Sequence, residues 1–84
     1  MSYERVTQFQ SRLIIGTKQT LKAMRNGEVM EVVIAKDAEE HITNSIVQEA
    51  VNRRIPYEFV ESKKQLGVAC NIDVAATVVA IRRT

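Results

Sequence analysis

The chain has 84 residues, 45% of them apolar, and twelve Lys and Arg against ten Asp and Glu, for a net charge of +2. That length suits one domain whose modest core buries roughly 60–65% of the surface its unfolded chain exposes. No run of about 18 apolar residues offers a membrane span, the opening MSYERVTQ is too polar for a signal peptide, and a single cysteine excludes an internal disulfide or a multi-cysteine zinc site. One cytoplasmic domain over residues 1–84 is expected, with Cys70 an inert buried thiol beside Ala69.

Tyr3, Val6, Gln10 and Leu13 follow helical spacing after Ser2, a candidate N-cap. Leu13-Ile14-Ile15 then reads as a very short strand ended by Gly16. A second helix starts at Thr17, with Leu21 and Met24 expected inside and Asn26-Gly27 as its left-handed stop. The mostly apolar, β-branched run from Val29 to Ala35 reads as a central strand covered on both faces. Ile42, Ile46, Val47, Ala50 and Val51 mark a long amphipathic helix, opened by Asp37, Glu39 and Glu40, acids that suit the positive end of a helix dipole.

Ile55-Pro56 should break that helix before a strand over Tyr57 to Val60. Ser62 then caps a short helix holding Leu66, Ala69 and Cys70, and Ala76 to Ile81 is the last strand. The resulting αβαβαβαβ order predicts an α/β fold, a three-layer α/β/α sandwich with a small mixed sheet of about four strands. No repeat, linker or low-complexity segment interrupts it.

The small net charge hides a partition. Residues 5–27 carry five bases and no acid, residues 28–61 sum to −5, residues 62–84 to +3, and Glu4 completes the total. This pattern suggests one positive surface formed by both ends of the chain, with the acidic middle turned away. Scattered solvated charge is the plainer explanation on these grounds alone.

Catalytic chemistry is poorly supplied. His41 lies among acids in the first turn of a helix, neither Ser62 nor Cys70 has a His partner at a known spacing, and Gly16, Gly27 and Gly67 form no phosphate-cradling loop. Glu39-Glu40 suits a solvated helix start better than a Mg²⁺ site. Binding is better supplied. Gly16 lets another backbone approach closely, and the first amides of the following helix lack intrahelical acceptors, so a phosphate or base edge can accept from them. Lys18, Lys22 and Arg25 fall at i, i+4 and i+7 on one stripe. Like charges so placed cost about 0.2–0.5 kcal/mol per pair, a penalty that an anionic ligand reverses.

The segments IIGTKQTLKAM, VVIAKDAE and IPYEFVESKKQLGVACNIDVAATVVAI occur in the order and spacing of the ribosomal protein L-seven-Ae family of kink-turn RNA binders, and the chain resembles a short bacterial-type member over nearly its whole length. The most specific parts are Gly16-Thr17…Lys22-Ala23 and Ser62-Lys63-Lys64…Leu66-Gly67…Ala69-Cys70. The resemblance implies an α/β/α sandwich that recognises a sharply bent RNA helix with a three-nucleotide bulge followed by tandem sheared G·A pairs. The helix start from Gly16 to Lys22 would enter the major groove widened at the kink; an undistorted A-form groove is too narrow for side chains.

After Gly16-Thr17 the family usually carries Asn and Glu, which read the guanines; here stand Lys18 and Gln19. Lys18 donates to guanine O6 and N7, and the Gln19 carbonyl accepts from a base NH. Lys22 matches the family's lysine beside the G·A bases and phosphates. Where many members carry Arg this chain has Asn26, so one backbone contact is either missing or replaced by Arg25. By the same resemblance, the loop Ile72-Asp73-Val74-Ala75 covers the bulged nucleotides, although without it Ile72 and Val74 read better as ordinary core residues at a strand entrance. Glu39 meets an extruded base or simply opens its helix, and Lys63 faces a phosphate or bulged nucleotide.

The expected function is therefore RNA binding without catalysis or cofactor, by a monomer acting on kink-turns in ribosomal RNA or riboswitches, free or ribosome-associated, with neither DNA nor membrane as partner. Two readings from other classes stand beside it. One is a protein-interaction or ribosome-assembly subunit docking through the loop around Val74; the other is a small nucleotide-binding α/β enzyme, suggested by layer order alone.

Overall fold

A computed structural model describes residues 2–83. Its elements are α1 (Ser2–Gln8), a 3-10 turn (Gln10–Arg12), β1 (Leu13–Ile15), α2 (Thr17–Arg25), β2 (Val29–Ala35), α3 (Glu40–Arg53), β3 (Tyr57–Val60), α4 (Lys63–Ala69) and β4 (Val78–Arg82). The first helix stops at Gln8, so Gln10 and Leu13 do not continue its face. The Gln10 side-chain amide instead donates to the Ala69 carbonyl at the end of α4, at 2.7 Å. The capping role expected of Ser2 falls on a side chain outside the described set.

The four strands pair in the order β1-β4-β2-β3. β4 runs antiparallel to both of its neighbours, and β2 and β3 are parallel, which makes the sheet mixed. β2 and β4 are central and almost wholly buried. Strand alternation sorts their side chains into two cores. Val32, Ile34, Val78 and Ala80 meet Ala23 and Met24 of α2 and Ile46 and Ala50 of α3 on one face. Val33, Ala35 and Val79 meet Val6 of α1 and Leu66 and Cys70 of α4 on the other. This is the expected three-layer sandwich, and each fully buried Val, Ile, Leu or Met contributes about 1.5–3 kcal/mol to it.

Three helices end in the same way. Gly27 at φ 73°, Arg54 at φ 56° and Asn71 at φ 64° each take the left-handed conformation just beyond a helix. The next amide then bonds five residues back: Glu28 to Ala23, Ile55 to Ala50 and Ile72 to Gly67. At α3 this reversal stops the helix two residues before Pro56. The proline therefore follows a completed stop instead of causing one.

Several local expectations change. Leu21 is only half-buried, because Thr20, Ala23 and Met24 form the face that α2 lays on the sheet. Val51 is 60% exposed. Ala76 and Thr77 precede β4 instead of opening it, although Ala76 is buried. α3 begins at Glu40, and the Asp37 carboxylate serves another helix, accepting from the Lys63 amide at the start of α4 at 2.9 Å.

Candidate nucleic-acid interface

Sheet direction gathers most of the predicted residues at one end. The Gly16 amide donates to the Val78 carbonyl, the Ala35 amide to Thr77, the Lys36 amide to Val60 and the Ala76 amide to Lys63. These bonds tie the start of α2, the loop before β4, the exit of β2 and the start of α4 into one rim. Gly16, Thr17, Lys18, Gln19, Glu39, Lys63, Ile72, Asp73, Val74 and Ala75 all belong to it, whereas Lys22 and Arg25 continue along α2, about 6 and 10 Å from Lys18 along the helix axis.

The two helices that begin on this rim with cationic residues are finished differently. At α4 the Ser62 hydroxyl accepts from the Gln65 amide and Asp37 accepts from Lys63, so its leading donors are used within the protein. At α2 the N-cap is Gly16, which brings no side-chain acceptor. Its φ of 106° and ψ of 150° lie in a region that is essentially glycine's alone. Nothing lies within 4 Å of where a Cβ would stand, which leaves the approach to the first turn open.

Ion pairing separates the five bases of the opening stretch. Arg5 reaches the buried Glu31 carboxylate at 2.6 Å, and both Arg5 and Arg12 lie over the Phe9 ring. Arg25 meets Glu49 of α3 at 3.8 Å, and Arg53 shares that carboxylate. Among the described residues Lys18 and Lys22 have no ion-pair partner. The expectation of an acidic middle turned away is thus corrected: Glu31 and Glu49 point back at the basic segment, Glu31 pairing with Arg5 and Glu49 shared between Arg25 and Arg53. What remains for a ligand is the Lys18–Gln19–Lys22 corner, which with Leu21, Arg25 and Asn26 lines a shallow groove.

The loop after α4 splits its expected apolar pair. Ile72 packs partly into the α1/α4 core, whereas Val74 is 69% exposed. Gly67 fixes the loop's position, since its backbone lies directly under the Val74 carbonyl. A Cβ there would sit 2.1 Å from that oxygen and 3.2 Å from the Ala75 Cα. Lys63 and Glu39 are exposed on either side of the β2 exit, and Glu39 is the N-cap of α3 without a side-chain capping bond.

The matching family model spans residues 1–84 and describes the ribosomal protein L7Ae/L30e/S12e/Gadd45 family. The chain belongs to this family. The RNA-binding protein BH0128 of Halalkalibacterium halodurans is 53% identical over 83 residues, covering 99% of this chain and all of that protein. The RNA-binding protein YbxF of Geobacillus stearothermophilus is 45% identical over the same length, with the same coverage. Among solved structures, the 15.5kD RNA binding protein of Giardia lamblia superposes with a TM-score of 0.92 at 29% identity, covering 99% of this chain and 72% of that one.

In this L7Ae-family chain an arginine outside the predicted set also lines the groove surface. Arg82, the last residue of β4, lines a second depression with Gln19, Lys22 and Asn26. The basic C-terminal segment was its trace in the sequence, but only the β1–β4–β2 register brings it beside α2. Buried Cys70 has its thiol pushed from 9.0 up to about 11 by desolvation, which suits a packing role.

Proposed function

We propose that this protein binds structured RNA at kink-turns and holds them in the bent form, without catalysing a reaction. The observation that carries the proposal is the uncapped, glycine-led first turn of α2, with Lys18 and Lys22 unpaired, on the same rim as an exposed apolar loop. Relatives whose names call them RNA-binding proteins support RNA as the partner.

In this reading Gly16 admits the groove edge, Lys18 donates to guanine O6 or N7, and the Gln19 carbonyl accepts from a base NH. The first-turn amides add donors at the positive end of the helix dipole. Lys22 takes a phosphate. Val74 and Ala75 cover splayed bases, held up by Ile72 in the core, while Glu39 and Lys63 flank them. The monomer acts in the cytoplasm on ribosomal RNA or riboswitches and needs no cofactor.

The test is titration of a kink-turn RNA against a control whose sheared G·A pairs are replaced by Watson–Crick pairs. The kink-turn should bind at least about fivefold more tightly, since one good base contact is worth about 1–3 kcal/mol. Gln19→Ala should bring the two affinities together. Equal affinities for the unaltered protein would sink the proposal.

A further inference from the structure

The groove at Lys18 and Lys22 does not end with α2. Gln19, Lys22 and Asn26 form walls of both that groove and the depression containing Arg82. Arg82 and Glu28 in turn form walls of a third depression, completed by Gly27 and Arg83. The three hollows therefore adjoin in a line. β4 gives the line its direction: it starts at Val78, bonded to Gly16 on the rim, and runs away from the rim to Arg82, about 13 Å distant at strand rise. By alternation Arg82 shares the face of Val78 and Ala80, the face that carries α2. The backbone beneath is fixed, since Val29 pairs with Arg82 and the Arg83 amide donates to the Glu28 carbonyl at 2.8 Å.

Charge along this line is positive. Both arginines are exposed, and among the described residues neither has an ion-pair partner. Among the described residues Glu28 is the one acid lining the hollows, against Lys22, Arg82 and Arg83. Arg25, by contrast, leans on Glu49. A row of unpaired cations continuing from a groove that accepts a base edge is what the sugar–phosphate backbone next to that base requires.

We infer that Arg82 and Arg83 continue the interface beyond Lys22 and grip the phosphates of the RNA arm that leaves the kink along α2. The inference rests on the RNA-binding reading and extends it: the rim recognises the distorted motif, and the end of β4 measures whether a duplex arm follows it. The two arginines add affinity and salt dependence without base selectivity.

The test uses the full chain, its Arg82→Ala/Arg83→Ala variant and its Arg82→Lys/Arg83→Lys variant. Each is titrated with a kink-turn RNA carrying a long arm, with the same RNA cut back at that arm, and with a straight duplex of equal length. The unaltered protein should bind the long-armed RNA more tightly than the shortened one, and the double alanine variant should bind both alike. The slope of log affinity against log salt should fall by about 1.5 in the alanine variant, at about 0.7–0.9 per cation, and be kept by the lysine variant. Between about 50 and 200 mM salt the gap between protein and alanine variant should then narrow about eightfold.

Equal binding of long and short arms by the unaltered protein, or arm dependence that survives in the alanine variant, would overturn the inference. Equal binding of kinked and straight RNA would instead count against kink-turn recognition. In that case the contribution of the two arginines is still read on the straight duplex, from the affinity and salt slope of protein and alanine variant. A matching thermal midpoint checks that each variant is folded.

Discussion

Gly67→Ala separates a helix argument from a packing argument at a single position. Within α4 alone the change should help, because alanine is favoured over glycine in a helix interior by about 0.8–1.0 kcal/mol. The added methyl, however, would stand 2.1 Å from the Val74 carbonyl oxygen and 3.1 Å from its carbon, both backbone atoms. Restoring ordinary contact requires the loop to retreat by about 1 Å, and over-packing of this kind costs about 1–3 kcal/mol. That retreat is resisted by the bonds from Ile72 to Gly67 and from Ala76 to Lys63. The net expectation is a loss of about 1 kcal/mol, seen as a midpoint about 4–8 °C lower in thermal denaturation of a domain this size. RNA affinity should fall at temperatures where the variant is fully folded, because the displaced residues are Val74 and Ala75. A midpoint at or above that of the unaltered protein would show the helix gain unopposed and refute the close-approach account.

Gly16→Ala meets no neighbouring atom, so its cost is backbone strain alone, about 1–3 kcal/mol at φ 106° and ψ 150°; a denaturant midpoint equal to that of the parent would contradict this. Lys22→Ala should lower the salt slope of RNA binding by about 0.7–0.9, whereas Arg25→Ala should lower it by less, because Arg25 leans on the Glu49 carboxylate that it shares with Arg53; equal reductions would show that the ion pair opens freely on binding. Burial raises the Cys70 thiol from 9.0 to about 11. Below pH 9 that thiol is neutral both folded and unfolded, so it adds no pH dependence. Above pH 9 the unfolded chain ionises first, and stability falls by about 2 kcal/mol as pH rises to about 11. Cys70→Ala should therefore lose less stability than the parent over that window, and identical pH profiles would rule the effect out.

Much of the fold was legible because its signals are local. The run from Val29 to Ala35 is apolar at nearly every position, as a strand between two helical layers must be, and Ser62 caps α4 as its position suggests. Gly27 announces its own left-handed turn. Arg54 does not, since an arginine at positive φ goes against local preference and is held there by the Ile55 amide bond to Ala50. Asp37 sits next to a helix in sequence but serves the start of a different one, a pairing that exists only once β2 and α4 are side by side.

The site divides along the same line. The Gly16-led helix start is a local motif and was visible, but the worth of each base on it was not. Arg5, Arg12, Lys18, Lys22 and Arg25 look alike as a row of charges. Glu31, more than twenty residues away in the chain, occupies the first, the Phe9 ring the second, and Glu49 the last. A carboxylate already bonded to an arginine competes with any phosphate for it, so Arg5 and Arg25 are partly occupied, Arg12 keeps its charge over a neutral ring, and the start of α2 itself offers Lys18 and Lys22. Specificity at the rim follows from this subtraction. With fewer free cations near the helix start, non-specific attraction to any polyanion is weakened there, and binding depends more on the donors and acceptors of Lys18, Gln19 and the first-turn amides. The bulk of the sequence-independent attraction then falls to cations without partners elsewhere, and Arg82 and Arg83 are placed to supply it along the same surface.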